Sequence, residues 1–224
     1  MNHYWYFLLK RLGLILVPIL ILKSVTFAES SKETIRQIYK HKNYIVKAAS
    51  KFDINPVILA SVIYTERHLN FDWTDQVFDK ALAMVGKNSS LGFCQVKLKT
   101  AYFIERQLLD STSSFYLGSK YENILVLHQN PYNLINDLQI DSINILYAAA
   151  YLKIIQNYWQ NAGYSIDDKP EIIGSLYQLG LFHKNGAPRE PHFNPKANDF
   201  GKETLDSIYL FTSFGKFNLK FLLK

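Results

Sequence analysis

The sequence holds a single cysteine, Cys94, with ten glycines and seven prolines among 224 residues. One thiol excludes an intramolecular disulfide scaffold and any zinc site built from several thiolates. So few glycines and prolines exclude collagen-like and linker-type sequence. Internal repeats are missing, and no stretch alternates apolar and polar residues strongly enough to announce a sheet. What is present is an ordinary globular balance, 48% apolar and 20% charged, over a chain long enough for one well-filled core. The formal charge of +6 points to an anionic partner without saying where the cations cluster.

Acids are absent between Tyr4 and Ala28, and Lys10 and Arg11 stand directly before the apolar run Leu12 to Leu22. This is the layout of a signal peptide. The run is too short to cross about 30 Å of hydrocarbon at about 1.5 Å per residue. Thr26-Phe27-Ala28 sets small residues at positions −3 and −1 of a cleavage site, so residues 1–28 are expected to be removed. The alternative is an uncleaved membrane anchor that joins Tyr4 to Leu9 with the later run. It would hold Lys10 and Arg11 within the bilayer, a costly arrangement. Either way residues 29–224 are expected outside the cytoplasmic membrane, periplasmic or secreted. They carry 22 basic and 19 acidic side chains, a net of +3, which is not the footprint of a nucleic-acid binder.

The remainder reads as one mainly α domain. Ser30 and Glu33 form a capping box before Ile35, Ile38, Ile45, Ala49 and Phe52, predicting one amphipathic helix to about Phe52. Asn55-Pro56 caps a second helix, apolar nearly all round through Tyr64, that ends in Thr65-Glu66-Arg67-His68. A short helix is expected from Asp75 to Val85 and another from about Lys97 to Leu109. Residues 110–133 read as an irregular excursion. Long apolar stripes predict helices from Asp141 to Gln160 and from Pro170 to Leu179, and a last short helix runs from Glu203 to Phe211.

Three segments matter for function: Asp53 to Ala60 leading to Glu66, then Ser90-Leu91-Gly92-Phe93-Cys94-Gln95, then Asn144-Ile145 through Tyr151-Leu152 followed by Tyr177-Gln178-Leu179-Gly180. In order and spacing they resemble the lysozyme-like domain of lytic transglycosylases over roughly residues 45–180. That family pairs a glutamate on a helix with a glycine-x-x-glutamine turn, an asparagine-isoleucine helix ending in tyrosine-leucine, and an alanine-tyrosine-asparagine-alanine-glycine box. Here Arg67 follows the glutamate where serine is usual, Gln178 replaces the asparagine, and the segment between Glu66 and Ser90 is long. The pattern is that of a divergent member.

The resemblance implies a peptidoglycan-cleaving enzyme without metal or cofactor, in which Glu66 acts as general acid and then base and a 1,6-anhydro sugar is left. It makes Gln95 a contact to the sugar amide, Tyr177 a donor to Glu66 or to the acetamido group, Ser90 and Gln178 further sugar contacts, and Tyr151 a support beneath them. Gly92 would let the backbone approach closely. The rival readings are a hydrolytic muramidase, with Asp72, Asp75 or Asp79 positioning water, and a glycan-binding or assembly module without turnover. An effector exported against other cells is a third, weaker reading. Cys94 reads as packing, although His68 or His128 could in principle serve it as a base. His183 and His192 have no metal spacing, and Tyr158 and Trp159 read as core.

Overall fold

In a computed structural model the described residues are 30–70, 75–84 and 86–213, the side chains of 75–78 and 213 excepted. Residues 1–28, expected from sequence to be an export or anchor segment, lie outside them. Among the described residues no helix is long and apolar enough to cross a membrane. The fold is mainly helical. Its helices are α1 (Ser31–Lys40), α2 (Lys42–Lys51), α3 (Pro56–Asn70), α4 (Asp75–Met84), α5 (Leu98–Gln107), α6 (Pro131–Leu138), α7 (Asp141–Asn161), α8 (Pro170–Leu179) and α9 (Asp199–Ser213). A minimal antiparallel pair, β1 (Ser90–Leu91) with β2 (Val96–Lys97), precedes α5.

Helix α3 lies at the centre because its sequence leaves no polar stripe: every residue from Val57 to Arg67 is buried. Asn55 caps it as expected, its Oδ1 accepting the Val57 N–H at 2.8 Å. Helices α1, α2 and α9 pack around it, and α8 lies against α9. The α8–α9 approach is very close: a Cβ at Gly201 would fall 2.0 Å from the Glu171 carbonyl oxygen, a backbone atom that cannot step aside.

Four expectations are corrected. The amphipathic segment 30–52 is two helices, broken at His41. Its imidazole turns inward, where Nδ1 lies 2.8 Å from the Gln37 carbonyl oxygen and Nε2 2.8 Å from Asp141 at the start of α7. The side chain competes with the backbone for one carbonyl, since the His41 N–H also reaches Gln37 O. Ser30 caps α1, but Glu33 turns to Arg36 and Gln37 and does not close the box. The excursion 110–133 is packed against the core: Phe115, Leu117, Tyr121 and Leu125 are buried, and Tyr121 stacks on Phe52. Its last residues already belong to α6, whose N-cap Asn130 accepts from the Tyr132 N–H at 2.8 Å. The final helix starts at Asp199, four residues ahead of Glu203, because Asn198 caps it by accepting from Gly201 N at 2.9 Å.

Gly201→Ala is expected to destabilise the fold by about 2–3 kcal/mol through overpacking, lowering Tm by roughly 5–10 °C in a chain of this size. Calorimetric melting of the two proteins measures it.

Candidate functional site

One cleft of about 850 Å³ gathers all six residues singled out from sequence: Glu66, Ser90, Gln95, Tyr151, Tyr177 and Gln178. They arrive from three directions. Helix α3 delivers Glu66 on its penultimate turn, the β1–β2 turn carries Ser90 and Gln95, and α7 and α8 bring the tyrosines and Gln178.

The turn is held by an asparagine on α7. Asn144 is fully buried; its Nδ2 donates to the carbonyls of Leu91 and Leu138 at 2.9 Å each, and its Oδ1 accepts the Cys94 N–H at 2.7 Å. Gly92 is required at this point. Its φ is +69°, and a Cβ would lie 2.1 Å from Leu138 O and 2.5 Å from Asn144 Nδ2. The close approach expected at Gly92 is therefore to the protein's own clamp and not to a sugar. Gln95 also takes a left-handed backbone, with φ +53°, and its Nε2 donates back to Gly92 O at 3.0 Å. Its Oε1 is left to the cleft. It does not cap α5; Asn88 does so, accepting the Lys99 N–H at 2.9 Å.

Arg67, the departure beside the glutamate, points away from the cleft. It is 2% exposed, donates to Phe93 O at 3.3 Å, and lies 4.4 Å over the Phe93 ring. It braces the turn from behind and leaves the space over Glu66 untouched. Tyr177 also differs from expectation: its hydroxyl donates to the Cys94 carbonyl at 2.9 Å and not to Glu66. The phenol thereby ties α8 to the turn, while its ring walls the cleft. Tyr151 sits beneath, its oxygen accepting the Leu181 N–H at 3.2 Å. Gln178 is exposed on the rim, paired with Asn198 at 2.7 Å. Cys94 is fully buried, and burial pushes its thiol well up, so it packs and does not react.

Glu66 is 9% exposed, and burial raises its carboxyl to about 7 against the pull of an Asn70 hydrogen bond and the Lys97 charge. A carboxyl there holds its proton near neutrality and can still lose it. Glu105 makes the contrast. It is 3% exposed, but it accepts from the His128 N–H at 3.0 Å, from His128 Nδ1 at 2.9 Å and from the Tyr147 hydroxyl. Asp137 holds the other side of the same imidazole at 3.1 Å. This second buried carboxylate is fully served by donors, lies outside the cleft, and joins α5, α6 and α7. Sequence reading missed it, since one glutamate in an amphipathic helix carries no mark of burial.

Asp79 lines the cleft; Asp72 and the side chain of Asp75 lie outside the described residues. Asn70, Asn88, Lys97 and Lys99, which were not singled out, also face it. Tyr158 and Trp159 are core, and His183 and His192 are exposed. Among the described residues no cluster of histidine, cysteine and carboxylate could hold a metal ion.

Asn144→Ala strands one buried donor and two buried acceptors and is expected to cost about 3 kcal/mol or more, read as a lower denaturant midpoint. Glu66→Gln should act in the opposite direction. A carboxyl raised from 4.5 to about 7 favours the fold fully below pH 4.5, and that advantage is lost as pH rises through about 7. The amide is therefore expected to stabilise the protein by about 3 kcal/mol at pH 8 and by nothing measurable at pH 4, as paired melting curves would show. Compared with protein-family models, with curated proteins and with solved structures, the chain matches none.

Proposed function

We propose that this chain is a peptidoglycan lytic transglycosylase, built on a lysozyme-like helical domain and acting outside the cytoplasmic membrane. It would cleave the β-1,4 bond between N-acetylmuramic acid and N-acetylglucosamine. The observation that carries the proposal is the buried Glu66 carboxyl, raised to about 7, facing a cleft that also presents the amides of Asn70, Asn88, Gln95 and Gln178 and the hydroxyls of Ser90 and Thr100. Those amides and hydroxyls suit an acetamido sugar chain, which offers amide N–H and carbonyl groups and hydroxyls of its own.

The steps follow from the position of that one proton. Glu66 gives it to the glycosidic oxygen as the bond to the muramic C1 breaks and positive charge develops on the ring. The substrate's acetamido oxygen steadies that charge. The muramic C6 hydroxyl then bonds to C1 and returns its proton to the Glu66 carboxylate, so no water is consumed and a 1,6-anhydro end is left. Gln95 Oε1 accepts from a sugar amide, and Tyr177 and Tyr151 wall the ring.

Asp79, on the same cleft, favours one second reading: a muramidase in which this carboxylate orients water. Digestion of purified peptidoglycan followed by mass spectrometry separates the two. Anhydro-muropeptides that persist in Asp79→Asn support transglycosylation; reducing ends that vanish in Asp79→Asn make it a hydrolase. In either case Glu66→Gln is expected to lose about 10³-fold in rate, and wild-type kcat/KM to fall about tenfold per pH unit above about 7. Full activity in Glu66→Gln would overturn the assignment. Retention on insoluble peptidoglycan with no soluble product would mark a binding module.

A further inference from the structure

The cleft does not end at the tyrosines. A second groove of about 630 Å³ shares Lys99, Phe103 and Phe182 with it and runs on along α5. The first arm, over Glu66, mixes the amides of Asn70, Asn88, Gln95 and Gln178 with the charged side chains of Asp79, Lys97 and Lys184; the second has Lys99, which both arms share, and Arg106 on one side and an aromatic wall on the other. In that wall Phe103 meets Phe115 and Phe182 edge-on, at centroid distances of 5.4 and 5.5 Å.

The two cations share a face of α5. Seven residues separate them, about 10 Å along a helix axis, which is also the span of about three residues of extended peptide. Asp110 lies on this groove too, but it is occupied by the Thr112 hydroxyl at 2.6 Å and meets Arg106 only at 3.8 Å. Residues 30–213 are close to balanced in charge, with 19 lysines and arginines against 18 acids.

We infer that the second groove is a subsite for the carboxylate-bearing peptide substituent of the glycan, held at Lys99 and Arg106 with its apolar parts against Phe115 and Phe182. The inference rests on the reading of the first arm as a glycan site. A sugar chain seated over Glu66 passes its lactyl-linked branch across Phe103 into the groove, where the Lys99 and Arg106 charges meet carboxylates about 10 Å apart. The protein then discriminates peptide-bearing from denuded strands at a place remote from the bond it cleaves.

The test uses the tripeptide L-alanyl-γ-D-glutamyl-diaminopimelate and its fully amidated form, titrated calorimetrically into the full chain. The tripeptide is expected to bind, the amidated form about tenfold more weakly, and Arg106→Glu to weaken the tripeptide by a similar factor. Arg106 is exposed, so the variant should fold; Arg106→Gln serves as a milder control. In digestion assays Arg106→Glu should lower the ratio of kcat/KM on peptide-bearing over amidase-stripped glycan about tenfold. Absence of tripeptide binding, equal binding of both forms, or an unchanged ratio overturns the subsite. Tripeptide binding that depends on Arg106, alongside full activity in Glu66→Gln, would overturn the reaction assignment and leave the subsite standing.

Discussion

The clamp at Asn144 is the constraint on which the cleft depends. Its amide makes three hydrogen bonds inside a site closed to water, to Leu91, Leu138 and Cys94, so α7, the end of α6 and the β1–β2 turn are fixed to one another through a single side chain. A buried amide of this kind is favourable only when every bond is made. Gly92 is the counterpart of that demand, since no other residue leaves room for the clamp. The left-handed turn at Gln95, the Tyr177 bond to Cys94 and the position of Ser90 all follow from where this turn is held.

Two buried carboxylates show how environment divides chemistry from structure. Glu105 has three donors and serves as a strut between α5, α6 and α7. Glu66 is comparably hidden but poorly served, and that deficit raises its carboxyl toward neutrality. The deficit also costs stability at neutral pH. A carboxylate kept at such a cost beside a cleft is what an acid-base role requires, and this is why the proposed reaction is hung on Glu66 and not on the other.

Much of the helical plan was legible because its marks are local. Asn55-Pro56, the apolar run that follows it, and the stripes of α7 and α8 need no tertiary information. The same Asn-Pro mark at Asn130-Pro131 opens α6 but stands within a polar stretch, and the helix was not read from it. The break at His41 was not legible, because it depends on a partner 100 residues away.

Composition and pattern alone determined a mainly helical chain without an intramolecular disulfide scaffold; the short set of residues worth following, from Glu66 to Gln178, came from motifs that resemble those of lytic transglycosylases. Periodicity, caps and motifs are all properties of neighbours in sequence. Only the tertiary structure decided that those residues share one cleft, that Arg67 braces the turn from behind, that Tyr177 serves Cys94, and that Lys99 and Arg106 extend the groove. Each of those depends on desolvation and on contacts between distant segments, and neither exists until the chain has closed on itself.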